Sequence, residues 1–387
     1  MIKMLNFYTT EIDDPDMAVK EILAQIKQSN GFLKNSVGII GCCHEFIDVD
    51  FIEKLSSEIP FDIIGCTSRG SAVNKSLSME QLSLSVLTSD DIEFSVAFSD
   101  VLTKDNIEIA VPDAYKQAYS KLSGDPSFIF TFAPMMIDVS GETIMQTLDD
   151  VSGGVPIFGV LSNDISASYE NGKVFCNGES HSKKIAMILM KGNINPHFFI
   201  TSVPEKNLQN QYAIVTDSDG YLLKSVNGKS LIKYLESMGV TPNGLAAITV
   251  LPFIVNLNDG TEPYAVSMHS IDRDGAFCSS KIPIGSSIVF AEIDRAGIIS
   301  TIQSTLTRIL EYAENNKVNG IIIGPCFARN LVLNPNSELE MQKTSEILGQ
   351  KIPFMIIYSG GEICPVYDKN GKTINRFHNL TYTAVAF

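Results

Sequence analysis

Four apolar runs in this chain end alike, in small polar residues and glycine. They are Ile63-Ile64-Gly65-Cys66-Thr67-Ser68-Arg69-Gly70, Pro156-Ile157-Phe158-Gly159-Val160-Leu161-Ser162-Asn163-Asp164, Gly320-Ile321-Ile322-Ile323-Gly324-Pro325-Cys326-Phe327-Ala328-Arg329 and Pro353-Phe354-Met355-Ile356-Ile357-Tyr358-Ser359-Gly360-Gly361-Glu362-Ile363. Short runs rich in β-branched and aromatic residues, closed by turn residues, read as buried strands. Helical patterns alternate with them. Residues 12–31 read as a helix, with Asp13 or Asp14 as cap, Pro15 at the first helical position and Gly31 at its end. Val37–Cys42 is a strand, 48–58 a helix and Phe61–Gly65 a strand. This rhythm predicts a mixed α/β fold, α + β in its details, whose sheets are partly parallel and covered by helices.

The pattern then varies. Leu82–Leu87 and Ile92–Phe98 alternate and read as a hairpin turning at Ser89-Asp90-Asp91. A helix is expected at 104–122, a strand at Phe128–Phe132 and a helix at 140–150 capped by Ser140. Four strand candidates follow: Pro156–Leu161, Lys173–Cys176, Ile185–Met190 and Phe198–Val203. Pro204–Gln211 is polar and marks the expected boundary between two mixed halves, 1–205 and 206–387. Downstream come helices at 229–238, 295–314 and 336–348. Strands are expected near 246–255, 264–269, 287–292, 319–323, 354–358 and 380–387. No short repeat is visible.

With 29 Lys plus Arg against 44 Asp plus Glu, the net charge of −15 argues against nucleic acid and anionic lipid as partners. The N-terminus lacks a secretory apolar core, and no run approaches the roughly 20 apolar residues of a membrane span. Seven cysteines without regular spacing point to reduced thiols and a cytoplasmic setting. The phosphate loop, dinucleotide fingerprint, nucleophile elbow and zinc motifs are all missing, so no cofactor, metal or enzymatic activity is expected. Cys42-Cys43-His44-Glu45 is the densest set of potential ligands. Residues this close cannot complete a tetrahedral shell alone.

In open α/β sheets ligands sit beyond the strand ends, where small residues let the backbone approach. Thr67 and Ser68 offer hydroxyls there, and Arg69 a planar donor for a carboxylate. Ser162, Asn163 and Asp164 end the second run, where Asn163 and Asp164 can accept an ammonium group or cap a turn. Cys326 ends the third run, with Arg329 near it in sequence as a means of depressing its pKa. Glu362 follows two glycines, and His378 precedes the last strand as a switchable donor or base.

These segments, in this order, resemble the FIST family, an N-terminal FIST domain followed by a C-terminal one. Cys66 to Gly70 is similar to its first turn, and Gly159 to Asp164 with Lys173-Val174-Phe175 to its middle motif. Cys326-Phe327-Ala328-Arg329 resembles its cysteine–arginine element. Tyr358 to Glu362, Pro365 and Phe377-His378-Asn379-Leu380-Thr381 resemble its closing signature. Gly360 replaces an aromatic residue, and Ala328 and Asn330 replace glycines. The resemblance implies a sensory module for small ligands, with amino acids the usual proposal. It adds Tyr358, Gly361 and Asn379 to the candidate site. Three readings follow. The first is a sensor that clamps a carboxylate with Arg69 or Arg329, holds an ammonium with Glu362 or Asp164, and signals to a separate protein. The others are an interaction scaffold and a thiol enzyme with Cys326 as nucleophile and His378 as base.

Overall fold

The computed structural model describes residues 1–48, 50–74, 76–164, 171–239, 251–349 and 351–387. Three six-stranded sheets form its body. In order, the first contains Lys3–Thr9, Leu82–Ser89, Asn35–Cys42, Asp62–Thr67, Val174–Cys176 and Glu179–His181. The second contains Phe377–His378, Glu362–Ile363, Ile157–Leu161, Phe128–Ala133, Ala186–Lys191 and Glu93–Phe98. The third contains His197–Thr201, Tyr382–Ala386, Ile321–Pro325, Phe354–Ile357, Ser71–Val73 and Ser76–Ser78. The fold is mixed α/β, as the sequence predicts.

Each sheet holds a parallel pair: Asn35–Cys42 with Asp62–Thr67, Phe128–Ala133 with Ile157–Leu161, and Ile321–Pro325 with Phe354–Ile357. Helices cross between the partners, Phe51–Glu58 in the first pair, Gly141–Ser152 in the second, and Phe327–Leu333 with Leu339–Leu348 in the third. The body thus repeats one β–α–β unit three times, a repeat too degenerate in sequence to be read there. Side chains alternate along these strands. Ile39, Ile64, Phe130, Phe158, Ile322 and Met355 enter one core shared by all three sheets. Their neighbours Ile40, Ile63, Ile129, Ile157, Ile321 and Phe354 face the outer helices. Burial on both faces explains the unbroken apolar runs. Gly65 and Gly159 stand at the same place in two units. A Cβ there would lie 2.5 Å from the Ile40 carbonyl oxygen and 2.4 Å from that of Thr131.

Among the described residues, strands from Leu208–Asp219 to Ser287–Ala291 build an eight-stranded sheet with its own core, including Leu223, Leu235, Phe253 and Phe290. Its long strand Leu208–Asp219 begins in the polar stretch read as a boundary, because its outer face is exposed and polar. Strands from both sides of residue 205 share the second and third sheets. Leu82–Ser89 and Glu93–Phe98 are strands but not a hairpin. The first pairs with Lys3–Thr9 and Asn35–Cys42, the second with Ala186–Lys191 in another sheet. Leu82–Ser89 is buried throughout and so needs a neighbour on both edges. The first helix spans Pro15–Gln28, with Asp14 accepting from the Asp16 and Met17 amides, and stops at Ser29 rather than Gly31. Half of the strand expected at 246–255 lies outside the described residues, and Phe253–Asn256 is strand.

Candidate functional site

Ser68, Ser162 and Ser359 hold equivalent places, just past the second parallel strand of each unit. Each donates its N–H to the carbonyl near the end of the first strand: Cys42 at 2.7 Å, Ala133 at 2.9 Å and Pro325 at 2.8 Å. The three strand ends then bond to one another. Asn163 N–H donates to the Thr67 carbonyl at 3.1 Å, and Gly360 N–H to the Leu161 carbonyl at 2.8 Å. At the third joint the Asn163 side chain intervenes. Its Oδ1 accepts from Arg69 N–H at 2.8 Å and its Nδ2 donates to the Tyr358 carbonyl at 2.6 Å. The result is a closed ring of main-chain groups where the three sheets meet.

The ring absorbs much of the predicted site. Thr67 Oγ1 accepts from Lys173 N–H at 2.8 Å. Ser68 Oγ lies 2.7 Å from the Gly70 carbonyl oxygen and 3.0 Å from that of Tyr358. Gly361 N–H donates to Ser359 Oγ, and its carbonyl accepts from Leu161 N–H. Cys66 is buried in the shared core, and burial pushes its thiol pKa well up. Half-buried Arg69 donates from Nε to Asn330 Oδ1 at 2.8 Å. Burial lowers its pKa, while Tyr358 and Asp164 oppose that shift. A side chain at 360 would displace Met135, whose Sδ lies 2.6 Å from where a Cβ would stand.

Arg329 points elsewhere. It is 1% exposed, and its Nε and Nη2 meet Glu340 Oε1 at 3.0 and 2.8 Å, while Nη2 also reaches Thr301 Oγ1 at 2.9 Å. Its guanidinium lies over the Tyr382 ring. Glu340 therefore occupies the carboxylate clamp that the sequence offers to a ligand. Tyr358 is buried beside this pair. Burial pushes its pKa well up, and its hydroxyl has no hydrogen-bond partner among the described residues.

A second polar cluster surrounds Glu362, which is fully buried. Its Oε2 accepts from Thr381 Oγ1 at 2.6 Å and from Thr381 N–H at 3.2 Å. Burial raises its pKa to about 8, against the pull of these bonds, so the carboxyl carries a proton at neutral pH. The Cys326 thiol lies beside it. Burial, and secondarily the Glu362 charge, push that thiol well above its ordinary pKa, away from the thiolate a nucleophile needs. His378 pairs with Glu362 across two short strands. Its Nε2 donates to the Cys364 carbonyl at 2.9 Å, and burial lowers its pKa to about 3. Leu380, also buried, holds φ +60°, a left-handed backbone that a bulky residue rarely adopts. Ser162 Oγ, Glu362 Oε1, His378 Nδ1 and Asn379 Oδ1 are buried without hydrogen-bond partners among the described residues. A cavity of about 230 Å³ is lined by His378 and Thr381. Thr381 ties the cavity wall to Glu362, a role that the list of strand-end residues passes over. The Cys42–Glu45 segment forms no metal cluster among the described residues.

Three β–α–β units closed by a polar ring, beside a small polar cavity, define a mixed α/β scaffold of the ligand-binding kind. The chain belongs to the FIST family: the FIST N domain model matches residues 36–229 and the FIST C domain model residues 230–365. FIST domains are sensory domains of signal transduction that bind small ligands. The two models meet at 229/230, downstream of the 205/206 joint read from sequence. No curated protein matches the chain. Among solved structures it is similar to a cyanuric acid hydrolase, at 9% identity and TM-score 0.30, over 76% of this chain and 100% of that one. It is also similar to the cyanuric acid hydrolase of A. caulinodans, at 9% identity and TM-score 0.35, over 100% of this chain and 99% of that one. The expectation of a chain without enzymatic activity is therefore withdrawn, since the structures it matches are enzymes. A likeness this low transfers no reaction to it. All seven cysteines are free and buried, and no described helix is long and apolar enough to cross a membrane.

Proposed function

We propose that the chain senses an amino acid and passes the signal to a separate protein in the cytoplasm. What supports this reading is the group of partnerless buried polar atoms on Glu362, His378 and Asn379, beside a cavity whose wall includes His378 and Thr381. Burying a polar atom unpaired costs about 1–3 kcal/mol, a cost that an ordered water, an ion or a ligand group can relieve. Neutral His378 offers an acceptor at Nδ1, and protonated Glu362 a donor at Oε1. Arg69 and Asp164, at the ring, remain further candidates for the site, whereas the Asn163 carboxamide is taken up by Arg69 N–H and the Tyr358 carbonyl. Arg329 is left out because Glu340 engages it.

The test is a melting-temperature screen of the whole protein against the amino acids. A saturable rise following RT ln(1 + [L]/Kd), about 2.7 kcal/mol at a hundredfold excess over Kd, supports the reading. Glu362→Gln should weaken the effect. A flat screen, with partner capture indifferent to metabolites, would overturn it.

A further inference from the structure

We propose that the eight-stranded sheet is a gate over the buried cluster of Glu362, His378 and Asn379, and that Tyr264, clasped by Arg376 and His378, is its latch. This inference rests on the ligand reading of that cluster and adds how a ligand enters it. Glu362 and His378 are 0% exposed and Asn379 is 6% exposed, and their partnerless atoms are buried. A ligand meets those atoms when a covering element moves aside.

Val366 and Tyr264 stand beside His378 in the cavity wall and come from different elements. Val366 belongs to a hairpin, Val366–Tyr367 with Thr373–Ile374, that is pinned to the body. Asn375 Nδ2 donates to Asp149 Oδ1 at 2.6 Å and its Oδ1 accepts from Ile157 N–H at 2.8 Å, while Tyr367 Oη accepts from Phe198 N–H at 3.2 Å. Tyr264 begins the edge strand Tyr264–Val266, whose ladder partner is Phe253–Asn256 of its own sheet. The sheet is therefore the element free to swing. Its hold on the cluster is the Tyr264 ring. Arg376 and His378 flank Phe377, so alternation along the strand sends both to one side. Phe377 itself enters the core beneath helix Gly141–Ser152. The Arg376 guanidinium carbon lies 4.9 Å from the centre of the Tyr264 ring, and the His378 ring meets it edge-on at 6.3 Å. Tyr264 is thus wedged against the imidazole whose Nδ1 lacks a partner. The clasp is built to release. Asp259 Oδ1 accepts from Thr261 N–H and Oγ1 at 2.9 and 2.6 Å, which leaves Oδ2 to meet Arg376 Nη2 at 3.5 Å. Arg376 Nη1 is buried without a hydrogen-bond partner among the described residues. A stacked cation and a long, part-exposed ion pair are both contacts of modest strength.

The experiment labels the full chain with diethyl pyrocarbonate, which acylates a neutral imidazole at its free nitrogen, and reads each histidine by mass spectrometry. His378 is neutral, because burial lowers its pKa to about 3, and Nδ1 is its free nitrogen. Exposed His269 controls for the reagent. Parallel labelling with N-ethylmaleimide follows Cys66 in the shared core, which global unfolding exposes. His378 should label slowly in the native chain. Its rate should rise about tenfold in Tyr264→Ala, which loses the stacked ring, and about threefold in Asp259→Asn, which loses the ion pair. His269 and Cys66 should keep their native rates. Asp259 bonds Arg376 rather than His378, so its effect reports movement of the gate and not lost cover. If Asp259→Asn leaves His378 at its native rate, or raises it only in step with Cys66, the gate falls and the ligand reading stands on its melting-temperature screen. Faster His378 labelling beside a flat screen supports the gate and overturns the ligand reading.

Discussion

Glu362 and His378 sit side by side in the fold and hold their protons in opposite senses. Glu362 has a pKa of about 8 against an ordinary 4.5, so between those values the folded chain binds a proton the unfolded chain has released. Its contribution to stability is complete below pH 4.5 and is lost as pH rises through 8. His378 has a pKa of about 3 against 6.5, so its contribution is complete above 6.5 and is lost as pH falls through 3. From 4.5 to 6.5 the two slopes cancel, and outside that window one acts alone. Between pH 6.5 and 8 Glu362 alone should remove roughly 2 kcal/mol, at 1.36 kcal/mol per pH unit. Glu362→Gln should flatten the alkaline limb of stability, and His378→Gln the acid limb, in urea titrations from pH 3 to 9. A native alkaline slope that survives in Glu362→Gln would place that proton on another group. Sequence shows both residues in a closing motif. It does not show burial, which sets both pKa values.

At the scale of elements, two joints carry distinct costs. Asn163 stands in for a main-chain bond that the other two joints of the ring make directly. Asn163→Ala leaves the half-buried Arg69 N–H unpaired and the Tyr358 carbonyl with Ser68 Oγ alone, so it should cost about 1–3 kcal/mol by denaturant unfolding. A cost below about 1 kcal/mol would mean that the ring closes without it. The Arg329–Glu340 pair ties helix Phe327–Leu333 to helix Leu339–Leu348, with both side chains 1% exposed or less. Arg329→Met should cost about 3–5 kcal/mol, because it strands the Glu340 charge. Adding Glu340→Leu should recover most of that loss, and a strictly additive double mutant would refute the pairing argument. The apolar runs and their polar ends are legible in sequence because burial on both faces leaves an unbroken signal. The partner of Arg329 is not, because Glu340 reads as one more acidic residue on a helix.

For the whole molecule, the sequence shows strands and helices but not how the sheets share them. Leu82–Ser89 and Glu93–Phe98 look like neighbours and belong to different sheets, and the threefold unit lies in hydrogen-bond positions rather than in residue identity. The same topology predicts how the molecule opens. The eight-stranded sheet has its own core, and polar contacts tie it to the body. Ser140 Oγ donates to the Ser279 carbonyl at 2.7 Å, Thr143 and Tyr221 share a hydroxyl contact at 2.6 Å, and Lys281 N–H donates to Glu142 Oε2 at 3.0 Å. Arg376 reaches Asp259 at 3.5 Å and lies over the Tyr264 ring. An apolar patch of Ile254, Ala265, Val289 and Ala291 packs against Val203 as well. Interfaces of this kind come apart more readily than a shared core. Native-state hydrogen exchange in rising urea should therefore show two isotherms. Amides of Leu208–Asp219 and Ser287–Ala291 should open at lower free energy than those of Asn35–Cys42, Phe128–Ala133 and Ile321–Pro325, which sit at the heart of the common core. Merging of all these amides into one isotherm would show that the sheet and the body unfold as one piece.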